Sequence, residues 1–292
     1  MEPRAGIKWD IDEKQSVKAG IGVHSQTQPS YIYLHQVRTK EGQYVQHNRN
    51  IGLTKSRHAV VGYNRIFGDN FRLLTEAYYQ QLSNVPVEIN SSSFSMLNQG
   101  VGFTRLFADS LVNNGKGENY GAEVTLEKFF SNGYFFMITN SFYESFYWGS
   151  DNVKRDTDFN GNYILNFLGA KEFVTKTKNV LTIGGKVTYA GNKRYGDIDT
   201  TATILAQEII FGDNNRNEYQ FDPYFRADLK LNYKINRIKV SHEIALDIFN
   251  LLDTKNLLKI SYAPNLEDPQ ASPVREEYQY GRLPIFYYRL NI

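Results

Sequence analysis

Apolar and polar residues alternate with a period of two along much of this sequence, a pattern that commits the chain to β-strands with one oily and one wet face. In the clearest stretch Phe225, Ala227, Leu229, Leu231 and Tyr233 fall on one face, and Arg226, Asp228, Lys230, Asn232 and Lys234 on the other. The same division sets Tyr120, Ala122, Val124 and Leu126 against Gly121, Glu123, Thr125 and Glu127. Val17, Ala19, Ile21 and Val23 oppose Ser16, Lys18, Gly20 and Gly22. Ile238, Val240, Ile244, Leu246 and Ile248 oppose Lys239, Ser241, Glu243 and Asp247, with His242 interrupting the apolar face. Over its length the chain holds eleven candidate strands, centred near Ile7, Gly20, Val61, Thr75, Val124, Thr139, Asn166, Gly185, Leu229, Ala245 and Tyr287. Helical periodicity is nowhere sustained.

The connections between these strands alternate in length. Short turns are expected at 12–14, 68–70, 131–133, 174–178 and 236–237, and long polar segments at 26–55, 83–117, 149–160, 191–223 and 253–279. Consecutive antiparallel strands place alternate connections on opposite rims, so one rim is tight and the other elaborated. Transmembrane β-barrels have this asymmetry, with aromatic girdles at both interfaces. Candidate girdle residues are Tyr31 with Tyr33, Tyr78 with Tyr79, Phe129 with Phe130, Phe146 to Trp148, Tyr224 with Phe225, and Tyr278 with Tyr280. A soluble or surface all-β ligand-binding protein, such as a carbohydrate-binding sandwich, also alternates and is the competing architecture. Five long loops are hard to place in such a compact domain.

Composition narrows the function classes. With 41% hydrophobic and 14% aromatic residues the chain is too apolar to stay disordered, and its 21 Tyr and 19 Phe suit pleated strands. Lys+Arg 33 against Asp+Glu 31 leaves a net charge of +2, without the basic field that draws nucleic acid, so no nucleic-acid partner is expected. Zero cysteines exclude a disulfide framework, a thiolate zinc site and a cysteine nucleophile. No apolar run approaches the length of a helical membrane span. Residues 1–10 lack the basic region and apolar run of a signal peptide.

The last predicted strand carries Phe286, Tyr288, Leu290 and Ile292 at alternate positions, as a barrel-closing and assembly strand does. Further stretches stand out along the chain: Glu2 to Trp9 (EPRAGIKW), Tyr78 to Val87 (YYQQLSNVPV), Asn119 to Lys128 (NYGAEVTLEK), Phe159 to Tyr163 (FNGNY), Leu246 to Asp253 (LDIFNLLD) and Gly281 to Pro284 (GRLP). In order and spacing they resemble the C-terminal half of a TonB-dependent outer-membrane receptor, of the branch whose full-length members begin with a carboxypeptidase-regulatory-like domain. The resemblance implies an all-β fold in which residues 1–292 form an antiparallel transmembrane β-barrel segment of about eleven strands, roughly half of a 22-stranded barrel. It implies a transporter in the outer membrane that takes up a scarce small nutrient with TonB-supplied energy. The implied partners are outer-membrane lipid, the barrel assembly machinery, the TonB complex through an N-terminal part, and the nutrient itself. The family's plug, TonB-contacting segment and signal peptide have no match in this sequence, and Ile292 stands where outer-membrane proteins usually end on Phe. An odd strand count and two unpaired edges in lipid do not suit a closed barrel. Met1 is therefore expected to be a truncation or a start inside a longer protein, and the chain alone is not expected to make a stable pore.

Within that resemblance the polar strand faces form a mixed-charge wall toward the lumen: Glu76, Glu123, Glu127, Arg226, Asp228, Lys230, Glu243 and Asp247, with Lys186 and Lys239. Such a wall either holds the plug or lines a hydrated channel. Tyr195, Tyr219 and Phe221 are candidate ligand contacts in a long loop. Asp156, Asp158 and Asn160 before Gly161 match the start of a calcium loop, but its twelfth position is Phe167 instead of a bidentate Glu, so a solvated turn is expected. Asp213, Asn215 and Asn217 repeat the oxygen spacing without the glycine or the closing acid. His24, His35, His47, His58 and His242 show no zinc-site spacing, and His35 and His47 are expected to be solvated loop residues more than ligands of a metal chelate. Gly115, Lys116 and Gly117 do not make a phosphate loop, and Gly100, Val101 and Gly102 are too short a match to a dinucleotide fingerprint. No catalytic group, cofactor or resident metal is expected. An outer-membrane barrel enzyme is the third class, for which no residue pair is nominated.

Overall fold

Successive strands along the main sheet pair antiparallel, so neighbours in sequence are neighbours in space. This is seen in a computed structural model that describes residues 1–99, 108–268 and 271–292. The path runs through β1 (Arg4–Asp12), β2 (Gln15–Gln26), β3 (Thr54–Phe67), β4 (Phe71–Glu88), β5 (Leu111–Ser131), β6 (Tyr134–Trp148), β7 (Tyr163–Val174), β8 (Val180–Ala190), β9 (Tyr224–Asn236), β10 (Ser241–Phe249) and β11 (Leu283–Asn291). A short strand, Lys154–Asp156, adds to the end of β6. Among the described residues β1 and β11 do not pair with each other, and the sheet is open. All eleven expected strands are present in the expected order.

The tight turns lie on one rim. The β5–β6 turn uses Asn132 and Gly133, at φ of 52° and 75°; two left-handed residues in a row match the twist of the strands they join. At the β9–β10 turn the Arg237 N–H donates to the Val240 carbonyl at 2.9 Å. Ile238 and Val240, expected to continue the strand, belong to this turn, and Ile238 is fully exposed.

The opposite rim carries the long segments, one of which is shorter than expected. β4 and β5 extend through Val85, Val87 and Glu88 paired with Gly115, Val112 and Leu111, leaving 89–110 as the loop. A register shift after Leu82, with Asn84 at φ 56°, re-aims the strand so that Val85 and Val87 are buried. Gly115 makes room for them, since a Cβ there would lie 2.5 Å from Val87 Cγ1. The loops have structure of their own: α1 (Ser30–Leu34), α2 (Thr200–Ala206), and hairpins pairing Val37–Arg38 with Tyr44–Val45, Arg194–Tyr195 with Tyr219–Gln220, and Leu257–Tyr262 with Val274–Tyr278. Tyr31 and Tyr33 therefore sit in a loop helix, Tyr278 sits in a loop hairpin, and Tyr78 and Tyr79 lie inside β4. None of these marks the end of a main-sheet strand.

Burial is the reverse of a water-soluble sheet protein. Large apolar strand residues are on the surface, with Ile7 at 70% and Phe286 at 75% exposure. The buried apolar cluster, Ile32, Ala108 and Leu111 with Tyr31, Ile51, Phe94 and Met96, lies where the 27–53 and 89–110 loops meet the start of β5. Among the described residues no helix is long and apolar enough to cross a membrane. Strands with paired backbones and an apolar outer face meet the demands of hydrocarbon by another route.

Candidate functional site

Strand register places the expected polar wall on one face, opposite Phe225, Leu229 and Leu231. Glu76 and Glu123 are direct cross-strand partners. Glu76 pairs with Lys18 at 2.6 Å, and the lysine stem crosses Gly62, where a Cβ would lie 2.7 Å from Lys18 Cε. Glu127 meets Arg72 at 2.7 Å, and Asp228 meets Arg226 at 2.8 Å. Lys230 reaches Asp247 at 3.4 Å, and Glu243 accepts from Asn232 at 2.6 Å and faces Arg289 at 3.7 Å. Lys186 is opposite Asp228 in the β8–β9 ladder, and Lys239 is in the β9–β10 turn, outside the wall. On the other face of β11, Phe286, Tyr288 and Leu290 pair with Leu246, Ile244 and His242. The Tyr288 hydroxyl and His242 Nδ1 are 2.7 Å apart, and Ile292 follows the strand, exposed.

Above the wall, the loop rim is tied together by side chains. Asp158 is buried; its carboxylate accepts from Arg216 at 3.2 Å and from Asn217 Nδ2 at 2.6 Å, and its N–H donates to Asn98. Three loops, 89–110, 149–162 and 191–223, thus meet at one aspartate. Burial pushes this carboxyl above its ordinary range, against the pull of Arg216 and Asn217. Arg194 Nε donates to the Asn160 carbonyl at 3.0 Å, its Nη2 to Asn162 Oδ1 at 2.8 Å, and its Nη1 lies 3.6 Å from Asp156. Asn160 donates to Asp156 and to Glu144. Arg155 clamps Asp151 at 2.7 Å and donates to the Asp213 carbonyl at 3.0 Å, while Asp213 accepts from the N–H and hydroxyl of Ser93. Burial alone pushes Asp151 up, but hydrogen bonds from Arg155 and the Val153 N–H hold it below its ordinary range.

The carboxylates of the two calcium-loop sets are engaged elsewhere, and Asn160 Oδ1 and Asn217 Oδ1 are buried without a hydrogen-bond partner among the described residues. Asp156 and Asp158 face Arg194, Arg216 and asparagine amides; Asp213, Asn215 and Asn217 disperse to Ser93, Asp197 and Asp158. Among the described residues no three His, Cys, Asp or Glu side chains converge. His47 pairs with Asp109 at 2.9 Å, and His24 stacks on His58 with centroids 4.6 Å apart. Tyr195, Tyr219 and Phe221 do come together: Tyr195 stacks on Phe221 at 4.2 Å and meets Tyr219 at 5.5 Å. Gly100, Val101 and Gly102 lie outside the described residues. The sequence reading missed Arg194 and Arg216 because their acidic partners lie tens of residues away; the one local signal was the Asp-x-Asp-x-Asn-Gly segment itself.

Comparison with known proteins locates this geometry. The ferric-catecholate import receptor Fiu of E. coli K12 superimposes with a TM-score of 0.63 at 14% identity, over 98% of this chain and 34% of that one. The ferripyoverdine receptor of the outer membrane of Pseudomonas aeruginosa gives 0.62 at 15% identity, over 98% and 32%. The ferric yersiniabactin uptake receptor FyuA of Yersinia pestis gives 0.62 at 12%, over 98% and 36%. At such identities the likeness is one of fold, and the chain spans about a third of each of these structures. No curated protein sequence matches it. The TonB dependent receptor-like, beta-barrel family matches residues 2–251, and the chain belongs to this family of outer-membrane β-barrel receptors.

Proposed function

We propose that this chain forms part of the barrel wall and outer loop rim of a receptor that imports a small, scarce nutrient across the outer membrane with energy delivered through TonB. The observation that carries the proposal is the division of labour between the rims: short turns on one side, and on the other five long segments, several cross-tied through Asp158, Arg194 and Arg155. Loops held in fixed relation around an opening can present a ligand surface, and the stack of Tyr195, Tyr219 and Phe221 supplies aromatic faces for one. The wall of Glu76, Glu123, Glu127, Arg226, Asp228, Lys230, Glu243 and Asp247 faces the lumen, where paired charges suit contact with a plug carried on another part of the receptor. Phe286, Tyr288, Leu290 and Ile292 meet lipid and are presented to the barrel assembly machinery. Metal chelates are the first ligand class to test, because the solved neighbours named above are receptors for ferric complexes.

The test uses the full-length receptor in cells stripped of other chelate receptors. Radiolabelled ferric chelates should accumulate, and deletion of TonB should abolish accumulation while leaving the receptor in the outer membrane. Accumulation that is indifferent to TonB would remove energised transport from the proposal.

A further inference from the structure

The apolar face changes character in step over β2 to β6 as it approaches the loop rim. One cross-strand row consists of Ala19, Val61, Ala77, Ala122 and Phe142. Two residues closer to the loops the row is Ile21, Ala59, Tyr79, Tyr120 and Glu144, and two further on it is Val23, Arg57, Gln81, Glu118 and Phe146. Beyond that lie Lys55, Lys116, Trp148 and Lys154. Hydrocarbon, tyrosine and charge thus follow one another within roughly 13 Å of strand, the sequence of environments from bilayer core to headgroup.

Within the charged rows, Arg57, Tyr79, Gln81, Lys116, Glu118 and Trp148 line a depression of about 540 Å³. Glu118 is engaged by the Tyr79 hydroxyl at 2.8 Å and faces Lys154 at 3.5 Å. Arg57 and Lys116 are exposed and have no acidic partner among the described residues. Arg57 also borders a second hollow of about 290 Å³, where the apolar Pro3, Ala5, Ile21 and Val23 meet Arg4 and His58. Two uncompensated cations next to aromatic rings, with an oily trough alongside, are complementary to an amphiphile that carries a phosphate on a greasy body. Inorganic phosphate would leave the trough without a purpose.

We propose that this outer edge of β1 to β6 binds a phosphorylated lipid of the outer leaflet, its phosphate between Arg57 and Lys116 and an acyl chain along Ala5, Ile21 and Val23. The proposal takes from the transport reading only that the long loops point outward.

The experiment is native mass spectrometry of the full-length receptor, delipidated in neutral detergent and titrated with bisphosphorylated lipid A. Loss of one interfacial cation should weaken retention about fivefold, and the pair Arg57→Ala with Lys116→Ala about thirtyfold. The charge-conserving pair Arg57→Lys with Lys116→Arg should retain lipid like the parent, and excess inorganic phosphate should not displace it. Should the double alanine variant misfold, Arg57→Gln alone carries the test through its fivefold loss. Undiminished retention in the alanine variants overturns the proposal. Displacement by inorganic phosphate overturns it too, by showing a plain anion site. Nutrient uptake is a separate readout, so a failure of transport leaves the lipid result standing.

Discussion

The Lys128 ammonium sits 3.8 Å from the centroid of the Tyr134 ring and donates to the Tyr134 main-chain oxygen at 3.1 Å. Lys128 lies on the apolar face, between Phe71 and Phe136 in the ladder, yet is only 3% exposed. Its other contacts are the Phe129 and Ser131 carbonyls and the Ser131 hydroxyl. A charge on a lipid-facing strand is tolerable where acceptors and a ring face replace water.

Replacing this cation while keeping its stem should expose the dependence of the turn on it. Lys128→Met leaves the β5–β6 turn carbonyls without their shared donor and should cost about 2 kcal/mol. Urea unfolding of the detergent-folded receptor measures this. A midpoint equal to the parent's would show that the ammonium only shields the ring.

A second prediction concerns two glycines that meet between loops. A Cβ on Gly191 would overlap the Gly161 carbonyl, and one on Gly161 would lie 2.8 Å from the Gly191 oxygen. Because both obstacles are backbone, Gly191→Ala must push the 149–162 and 191–223 segments apart, at a cost of about 1–3 kcal/mol. Limited proteolysis should then cut within these loops at protease levels that spare the parent.

The rim acids should respond to pH with opposite signs. Asp151 has a lowered folded value, so its contribution is complete above about pH 4 and disappears as pH falls through that value. Asp158 has a raised folded value, so its contribution is complete below about pH 4 and is lost as pH rises through the raised value. Hydrogen exchange of residues 149–162, corrected for intrinsic rates between about pH 6 and about pH 3, reads the balance of the two responses. Relative to the parent, acidification should cost more protection in Asp158→Asn, where the gain from Asp158 is gone, and less in Asp151→Asn. Identical slopes in all three proteins would refute the assignment.

On the polar wall the two neighbouring glutamates should behave differently. Glu123 stands directly across from Glu76, and like charges in that position are destabilising. Glu123→Gln should therefore raise stability by a few tenths of a kcal/mol. Glu76→Gln also relieves the repulsion but forfeits the partly solvated Lys18 pair, and should be neutral or lower stability by less than about 1 kcal/mol. Matched urea midpoints decide between equal and opposite effects.

The strands were legible because their determinant is local: the parity of residues such as Phe225 and Arg226 needs only neighbouring positions to be read. The same parity misled at Ile238 and Val240, which continue the alternation while the backbone turns back at Arg237. It was silent at Val85 to Val87, where a shift after Leu82 and the bare surface of Gly115 let the ladder continue through a stretch that looked like loop. Tyr31 and Tyr278 read as strand-end aromatics because residue type alone does not distinguish a membrane interface from a folded loop. The rim network was illegible for a deeper reason. Asp158 meets Asn98, Arg216 and Asn217 across roughly sixty residues of chain, and no pattern in one sequence encodes which long-range partners will meet.

That meeting of loops has a thermodynamic consequence for recognition. Flexible loops must surrender conformational freedom when they close on a ligand, and the loss subtracts from affinity. Here much of that freedom is already removed when the chain folds, through Asp158, Arg194 and Arg155. A molecule bridging these loops would meet a surface already set, and its dissociation would be governed by the contacts it makes more than by the tendency of the rim to fall apart.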